Sequence, residues 1–419
     1  MKNLFLTTVV LALSTFSIAQ QPSTNQHSSA DVDAAQPATT PTFTVLHEFK
    51  GSPDGAFPMA GVIQDTAGNI YGTTSGGGAA GEGTVYKLNT SGDERVLFSF
   101  STANGSLPSS GLLRDNAGNF YGTAMEGPGG AGVLFRVSSD GTEEVLHAFQ
   151  GGQGTEAAVP AGGVISDGAG NLFGATLLGG LGPFPGFGTL YRVDPTGKFS
   201  VLYKFQGKSD GAEPSGPLVR DAKGNLYGVA LLGGDPGKGT VFKLSATGTL
   251  TVLHTFSGIA DGSAPQGGLL LDKVGTLYGS TSQGGDSGNG TLFQIKKNGR
   301  FKRLYSFTGG PDGALPNGGL VQDPSGNLYG TTQIGPGQDF LGTVFQLSRA
   351  RVLTVLHTFT GDADGAVPFA GLVRDNAGTL YGTAFKNFLA DQQDGTVFKL
   401  APADATGEPE TTSLRLTHD

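Results

Sequence analysis

The sequence predicts an all-β protein, a seven-bladed β-propeller with four antiparallel strands per blade. Three observations lead to this prediction. A motif of the form Asp-x-x-Gly-Asn/Thr-x-Tyr/Phe-Gly recurs seven times, and its aromatic residues are 50 to 54 residues apart. Each interval holds four short runs rich in Val, Leu, Thr and aromatic residues, and none of them has the 3.6-residue period of a helix. A period near fifty residues suits a propeller blade and is too long for one coil of a solenoid.

The N-terminal segment, residues 1–19, has the pattern of a signal peptide. Lys2 precedes an apolar run that ends in Ser17, Ile18 and Ala19, with small residues at the two positions that determine cleavage. We expect cleavage after Ala19. A membrane anchor is the alternative, but the run is short and has no stop-transfer pattern. Residues 20–41 are polar and rich in Pro, Ser and Thr, which predicts a flexible leader.

Composition and charge narrow the class of protein. The 419 residues include 72 Gly and 22 Pro, and only 15% are charged. The formal net charge is -9, so the electrostatic field repels nucleic acids and we expect none as a partner. The chain has no Cys, so packing must stabilise it without disulfides. No stretch after the signal peptide is apolar enough to span a membrane. We therefore expect a secreted, periplasmic or cell-surface protein.

Each repeat supplies four strands, which we name a to d in chain order. In the sixth repeat they read GGLVQD, NLYGTT, GTVFQL and LTVLHTF. The a–b connection begins with Asp and has Gly three residues later in all seven copies, as in Asp115 and Gly118. Asp in this place accepts backbone hydrogen bonds, and Gly adopts the left-handed conformation that the turn requires. A calcium loop is the alternative, but the further oxygen ligands are missing, so no cofactor is predicted.

Length variation falls in two of the four connections. The turn Asp and the aromatic residue of strand b are six residues apart in every copy, and the aromatic residues of strands c and d are fourteen apart. Strand b to strand c spans 14 to 18 residues, and strand d to the next turn Asp spans 15 to 18. In an up-and-down blade the b–c and d–a loops lie on one face, here called the variable face. We predict that function resides there.

The two ends of the repeat region predict how the ring closes. Residues 42–49, TFTVLHEF, form a d-type strand that precedes any a, b or c strand, and the last repeat ends at strand c, GTVFKL, residues 395–400. Pairing the orphan strands completes the seventh blade and removes two exposed edges. The propeller therefore spans residues 42–400, and residues 401–419 are expected to form a loose tail.

These motifs resemble a known family. The pattern GNLYGTT…GG…GTVFKL…TVLHTF is similar to the GloVer-type tandem repeat of exported bacterial proteins, over roughly residues 43–400. The resemblance implies an exported β-propeller-like protein and no particular reaction. The a–b element is also similar to units of sensor ectodomains and lactonase-like enzymes, but this similarity of turns and strands transfers no active site.

Aromatic residues distinguish three of the b–c loops from the Gly-rich others. The third loop reads LLGGLGPFPGFG, the sixth IGPGQDFLG and the seventh FKNFLADQQDG. Aromatic side chains at loop tips form a recognition patch or fold inward and fill the ring, and the sequence leaves both open. The candidate binding residues are Phe184, Phe187, Phe340, Phe385 and Phe388.

A carboxylate followed by Gly comes after strand d in five repeats. Five carboxylates on the variable face would form a ring that attracts cations, and a Gly-assisted turn is the alternative. These residues are Asp54, Asp210, Asp261, Asp312 and Asp364.

The histidines predict neither a metal site nor a catalytic residue. Four of the six occupy one position in strand d, where other copies have Phe or Tyr. A position that accepts His, Phe or Tyr indicates a packing site for a flat ring. Neither a metal-ligand spacing nor a nucleophile elbow is present. The four residues are His47, His147, His254 and His357.

The leading hypothesis is an exported, monomeric binding module that recognises a protein or a glycan through the variable face. The alternatives are a propeller enzyme, such as a lyase or a lactonase-like hydrolase, and a structural protein of the cell envelope. An enzyme should bring His, Arg or carboxylate side chains together at the mouth of the central channel. A binding module should expose aromatic side chains there.

Overall fold

Seven antiparallel sheets follow one another along the chain. The computed structural model describes residues 40–150, 157–182, 185–336, 341–385 and 394–402. Within these ranges each sheet pairs its strands in the order a, b, c, d, and no α-helix is present. None of the described segments forms a helix with the length and hydrophobicity that a membrane crossing needs. The predicted seven-bladed β-propeller is confirmed.

The strands are short, and strand a is divided in two in blades 2 and 6. Blade 1 has Ile63–Gln64, Ile70–Thr74, Thr84–Leu88 and Glu94–Ser99. Blade 2 has Ser106–Pro108 with Leu113–Arg114, Phe120–Glu126, Gly130–Val137 and Glu143–Gln150. Blade 3 has Ala158–Ser166, Leu172–Leu178, Thr189–Val193 and Phe199–Lys204. Blade 4 has Ala212–Arg220, Leu226–Leu232, Thr240–Leu244 and Leu250–Thr255. Blade 5 has Leu270–Leu271, Leu277–Thr281, Thr291–Ile295 and Phe301–Ser306. Blade 6 has Ala314–Pro316 with Val321–Gln322, Leu328–Ile334, Thr343–Leu347 and Leu353–Thr358. Blade 7 has Val373–Arg374, Leu380–Ala384, Thr396–Ala401 and the N-terminal strand Thr42–Glu48. Gly55–Ala56 also pairs with Gly76–Gly77 beside blade 1.

The N-terminal strand closes the ring as predicted. Thr42–Glu48 pairs antiparallel with Thr396–Ala401, from Thr42 opposite Ala401 to Glu48 opposite Thr396, with one bulge. Strand d of blade 7 therefore comes from the opposite end of the chain. No covalent turn joins it to strand c of its own blade.

Buried aromatic pairs join each blade to the next. The Phe at the end of strand d contacts the aromatic residue of strand c in the following blade, with ring centroids 4.9 to 5.3 Å apart and interplanar angles of 64 to 69°. Such edge-to-face pairs stabilise beyond simple burial. The seven pairs are Phe49–Tyr86, Phe100–Phe135, Phe149–Tyr191, Phe205–Phe242, Phe256–Phe293, Phe307–Phe345 and Phe359–Phe398.

Glycine backbones bring the inner strands together around the axis. A Cβ added to Gly163 would lie 2.7 Å from the carbonyl oxygen of Gly111 in the preceding blade. One added to Gly371 would lie 2.7 Å from that of Gly319, and one added to Gly61 would lie 3.1 Å from that of Gly371. The last contact joins blade 1 to blade 7. Strand a therefore borders the axis, and a side chain at most of these places would push two blades apart.

The recurring Asp of the a–b turn organises its own blade. Asp115 accepts hydrogen bonds from Asn119 N and Nδ2 at 2.8 Å and from the Tyr121 hydroxyl at 3.0 Å. Although burial opposes the shift, these bonds lower the pKa of Asp115. Gly118, with φ of 87°, donates its N–H to the Asp115 carbonyl. The motif thus encodes a turn tied to strand b by an aromatic hydroxyl.

Candidate functional site

The five carboxylates that follow strand d lie beside the outer strands. Each accepts a hydrogen bond from a ring seven residues earlier, as Asp312 does from the Tyr305 hydroxyl at 2.9 Å. Each also accepts one from a backbone N–H four residues earlier, as Asp312 does from Thr308 N at 2.8 Å. The pairs are His47–Asp54, Tyr203–Asp210, His254–Asp261, Tyr305–Asp312 and His357–Asp364. These bonds fix the d–a loops, and attraction of cations by this ring stays a prediction.

Three of the four strand-d histidines stack on a Phe ring of the next blade, as expected for a packing site, and His47 packs edge-on against Phe49. His254 stacks on Phe301 of the next blade, with ring centroids 3.7 Å apart and an interplanar angle of 6°. Burial lowers the pKa of His254, although Asp261 opposes the shift. Burial alone would raise the pKa of Asp261, but hydrogen bonds from Ser257 and His254 outweigh this effect, and the pKa lies below its usual value. Near neutral pH a neutral imidazole therefore donates to a carboxylate, an arrangement that serves packing.

A strained residue precedes a Pro in every blade, within strand a or a few residues before it. Its φ lies between 53 and 60°, and in no blade is it Gly. The left-handed conformation costs about 1–2 kcal/mol for such residues. Most donate their N–H to the b–c loop of the preceding blade, as Leu107 does to the Glu82 carbonyl at 3.1 Å. The seven residues are Phe57, Leu107, Val159, Glu213, Ala264, Leu315 and Val367.

Because strand a is the innermost strand, we infer that three positions in each blade, at its end on the variable face, border the axis, and we call them the axial mouth. The first is the left-handed residue, and the second is the residue after the Pro. The third is the residue of strand b opposite the first, as Phe385, whose N–H donates to the Val367 carbonyl at 3.3 Å. The second positions are Met59, Ser109, Ala161, Ser215, Gln266, Asn317 and Phe369. The third positions are Ser75, Met125, Leu177, Leu231, Ser282, Gln333 and Phe385.

One half of the axial mouth is aromatic and aliphatic. In blades 7 and 1 the ring of Phe385 lies 5.4 Å from that of Phe57 and 5.1 Å from that of Phe369. All three rings are half-buried. Met59 and Met125 continue this surface into blades 1 and 2, and they are two of the three Met residues in the chain. Phe and Met side chains of this kind adapt to the apolar faces of ligands.

The opposite half carries most of the polar side chains, beside the apolar Leu231, Ala264 and Leu315. Blades 4, 5 and 6 contribute Glu213, Gln266, Asn317 and Gln333. Among the residues of the axial mouth, Glu213 alone carries a titratable side chain, and burial raises its pKa. Asn317 Oδ1 has no hydrogen-bond donor among the described residues. A buried acceptor without a partner is costly, and a ligand hydroxyl or a water satisfies it.

The predicted aromatic residues do not form a single patch among the described residues. Phe385 joins the axial mouth, whereas Phe187 packs against Gly182 and Gly207 and against the core beneath blade 3. Phe184, Phe340 and Phe388 lie outside the described residues. Sequence reasoning missed Phe57 and Phe369, which flank Phe385. Their signal was available, because both interrupt positions that are small, polar or aliphatic in most other copies.

No metal site is formed within the described ranges. There, no three His, Asp or Glu side chains come close enough to hold one ion. The prediction that the protein uses no cofactor stays a prediction.

Comparison with known proteins identifies the repeat. The sequence matches the Gloeobacter/Verrucomicrobia repeat over residues 32–180, 126–323 and 245–413. The chain belongs to this family. The three overlapping matches cover the whole propeller, and they confirm the resemblance found in the repeat motifs. The sequence matches no curated protein.

Solved structures of similar fold include extracellular domains. The extracellular domain of a putative hybrid two-component system of B. thetaiotaomicron is 11% identical, with a TM-score of 0.56 over 87% of this chain and 40% of that one. That of a putative one-component system of the same organism is 11% identical, with a TM-score of 0.54 over 85% and 39%. This chain therefore spans about two fifths of their length. A gluconolactonase of Xanthomonas campestris is 13% identical, with a TM-score of 0.45 over 88% and 93%. These identities show the fold alone.

Proposed function

We propose that the protein is an exported binding module whose axial mouth, on the variable face, holds an uncharged ligand of the glycan type. The observation that carries the proposal is the division of the mouth into two halves. Phe57, Phe369 and Phe385 offer ring faces in blades 7 and 1. Gln266 and Asn317 offer amide groups in the opposite blades.

Sugar rings fit such a surface because they have an apolar face and an edge of hydroxyl groups. The apolar face loses water against aromatic rings, and the hydroxyls exchange hydrogen bonds with amides. A ligand with a net charge would gain little here, since the mouth carries a single titratable group. Binding sites of this kind place a few polar groups among apolar ones, and the polar groups set orientation and specificity.

Two features support a binding role outside the cell. Residues 1–19 have the pattern of a signal peptide. The similar sensor structures are extracellular domains, and their likeness to this chain concerns the fold.

The composition of the mouth argues against the enzyme hypothesis. Hydrolases and lyases generally use an acid and a base, or a nucleophile with an activating partner, within hydrogen-bond reach of the reacting atoms. Glu213 has no second titratable side chain among the residues of the axial mouth. Binding without turnover is therefore the function that this geometry favours.

A glycan array probed with the chain lacking residues 1–41 tests the proposal. We expect capture of neutral glycans by the wild type and loss of at least about tenfold in affinity on Phe369→Ala with Phe385→Ala, because each buried ring contributes about 1 kcal/mol or more to binding. Phe187→Ala is the matched control, since this aromatic residue belongs to a variable loop but its side chain packs against Gly182, Gly207 and the core.

The controls separate loss of the site from loss of the fold. Each variant must retain the wild-type melting curve to within a few degrees. The axial mouth is refuted as the binding site if the double variant captures glycans as well as the wild type does, or if Phe187→Ala loses capture to the same extent as the double variant. Turnover of a captured glycan that Glu213→Gln abolishes would instead support the enzyme hypothesis.

A further inference from the structure

A large cavity lies between blades 5 and 6 on the face opposite the axial mouth. Its volume is about 850 Å³, in the range of ligand-binding cavities. The a–b and c–d turns of both blades line it, together with residues on their neighbouring strands. These turns have constant lengths, so variation in loop length gives no sign of this site.

Six cationic side chains line the cavity. Five are exposed and Arg374 is half-buried. Within the described residues none of the six forms an ion pair with an Asp or Glu side chain, since the ion pairs there involve other residues. Like charges that line one cavity without ion pairs repel one another. The six residues are Lys273, Lys296, Lys302, Arg349, Arg351 and Arg374.

The two carboxylates of the lining are engaged elsewhere. Asp272 accepts hydrogen bonds from Val274 N, Thr276 N and the Tyr278 hydroxyl. Asp323 accepts from its own turn and strand b in the same way. These bonds hold both carboxylates in the turns, so the cavity keeps an excess of four positive charges.

Arg351 departs from the repeat in a way that the scaffold does not explain. Its φ is 65°, and its N–H donates to the Ser348 carbonyl at 2.8 Å. The other five c–d turns make the same bond with Gly, at φ of 83 to 91°. Gly adopts this conformation without strain, whereas Arg does not. The turn therefore gains nothing from Arg, and a strained residue in a cavity wall indicates a functional constraint. The five glycines are Gly92, Gly141, Gly197, Gly248 and Gly299.

Apolar side chains complete the lining. The half-buried Leu270, Leu271 and Leu304 contribute to the wall, and Val274 at the rim is 73% exposed. An inorganic anion would use only the cations. An organic anion would also cover this apolar surface.

We propose that the cavity binds a small organic anion with two or more acid groups, whose skeleton covers the apolar wall. Two acid groups match cations contributed by both blades, and Arg in particular recognises planar carboxylates through paired hydrogen bonds. The overall charge of the protein is negative, so a long polyanion such as a nucleic acid is disfavoured.

Isothermal titration calorimetry on the folded chain tests this proposal. The probes are citrate, digalacturonate, inorganic phosphate and the neutral disaccharide lactose, each in low-salt buffer. We expect citrate or digalacturonate to bind with affinity that falls as salt rises. We expect phosphate to bind at least about tenfold more weakly and lactose not to bind at this cavity.

Three variants locate the binding. Lys302→Gln and Arg351→Gln should each lower the affinity for the organic anion by about tenfold or more. Arg95→Gln is the matched control, because Arg95 occupies in blade 1 the place that Lys302 occupies in blade 5. Arg351→Gly should weaken binding equally and should also raise the melting temperature above that of Arg351→Gln, since only Gly relieves the strained turn.

The outcomes decide the proposal. It is overturned if neither organic anion binds, if phosphate binds as tightly, or if Arg95→Gln matches the effect of Lys302→Gln. Phe369→Ala with Phe385→Ala should leave anion binding unchanged, so this site and the axial mouth fail or succeed separately.

Discussion

Replacing Phe49 by Ala should open the ring at one joint, because this residue directly follows the N-terminal strand, which among the described d strands alone lacks a covalent turn to strand c of its blade. Phe49 is fully buried, and its ring lies 5.0 Å from that of Tyr86 in blade 1. Removing a buried Phe costs about 3–5 kcal/mol, of which the aromatic pair accounts for about 0.5–1.5 kcal/mol. Six residue pairs would then hold the N-terminal strand to blade 7.

Phe256→Ala provides a matched control. Phe256 is equally buried and pairs with Phe293 at 5.3 Å, so the local energy lost is the same. Its strand, Leu250–Thr255, follows strand c of blade 4 through a covalent turn. Both variants should therefore lose similar unfolding free energy, but only Phe49→Ala should release a strand locally.

Hydrogen exchange distinguishes the two outcomes. A loss of about 3 kcal/mol at the joint raises the open population by roughly a hundredfold. Amides of Thr396–Ala401 should exchange faster by that order in Phe49→Ala, whereas those of Thr240–Leu244 should change only with global stability in Phe256→Ala. Equal protection of Thr396–Ala401 in the wild type and Phe49→Ala would show that the strand does not depend on this joint, and the reasoning would be refuted.

Three further predictions concern stability. Burial, helped by the nearby Asp54 carboxylate, raises the pKa of Glu94 to about 7. The stability that protonated Glu94 contributes is therefore fully present below the unfolded value near 4.5 and is lost as the pH rises through 7. In chemical denaturation, Glu94→Gln should be as stable as the wild type at pH 4 and more stable at pH 8 by about 1–2 kcal/mol, after allowing for solvent screening. Gly371→Ala places a Cβ 2.7 Å from the backbone oxygen of Gly319 and should lower stability by about 1–3 kcal/mol. Gly111→Ala, at the same place in blade 2, leaves 3.7 Å and should not lower it. Equal losses in the two variants would show that these close contacts between blades do not limit the side chain. Asp261→Ala leaves a ring nitrogen and a backbone N–H unpaired and should cost about 1–3 kcal/mol in thermal unfolding, and no loss would show that the pair is solvated.

The period and the turns made the fold predictable from the sequence. Turn chemistry acts over a few residues, and seven copies average out local exceptions. The orphan strand at 42–49 then left one way to complete the seventh blade. What the sequence did not predict is the set of contacts between blades. The fourteen-residue spacing from Tyr86 to Phe100 suggests a contact across one turn, but Phe100 contacts Phe135 in the next blade.

The axial mouth was harder to predict because its residues come together only when the blades close into the propeller. Phe57 and Phe369 are more than three hundred residues apart and lie beside the same ring of Phe385. The left-handed residues give no signal, since none is Gly and their strain is offset by a bond to another blade. The cationic cavity was hidden by the net charge, although KKNGRFKR at 296–303 carries five basic residues in eight. Lys296 and Lys302 of this run line the cavity, whereas the cavity's other four cations lie elsewhere in the sequence.

Seven copies of one blade allow each residue to be compared with six others in nearly the same surroundings. Gly92 and its counterparts show that the c–d turn favours Gly, so the turn itself does not explain Arg351. The same comparison separates Phe385 from the non-aromatic residues that occupy its position in the other blades. The departures of the axial mouth lie on the side of the variable loops. The cavity lies on the other side, and Arg351, its departure from the repeat, belongs to the c–d turn of blade 6. A single ligand cannot account for both sets, because they lie at opposite ends of the blades. If the strain at Arg351 served the scaffold, Arg351→Gly would destabilise the protein. We expect Arg351→Gly to stabilise the fold and to lower only the affinity for the anion.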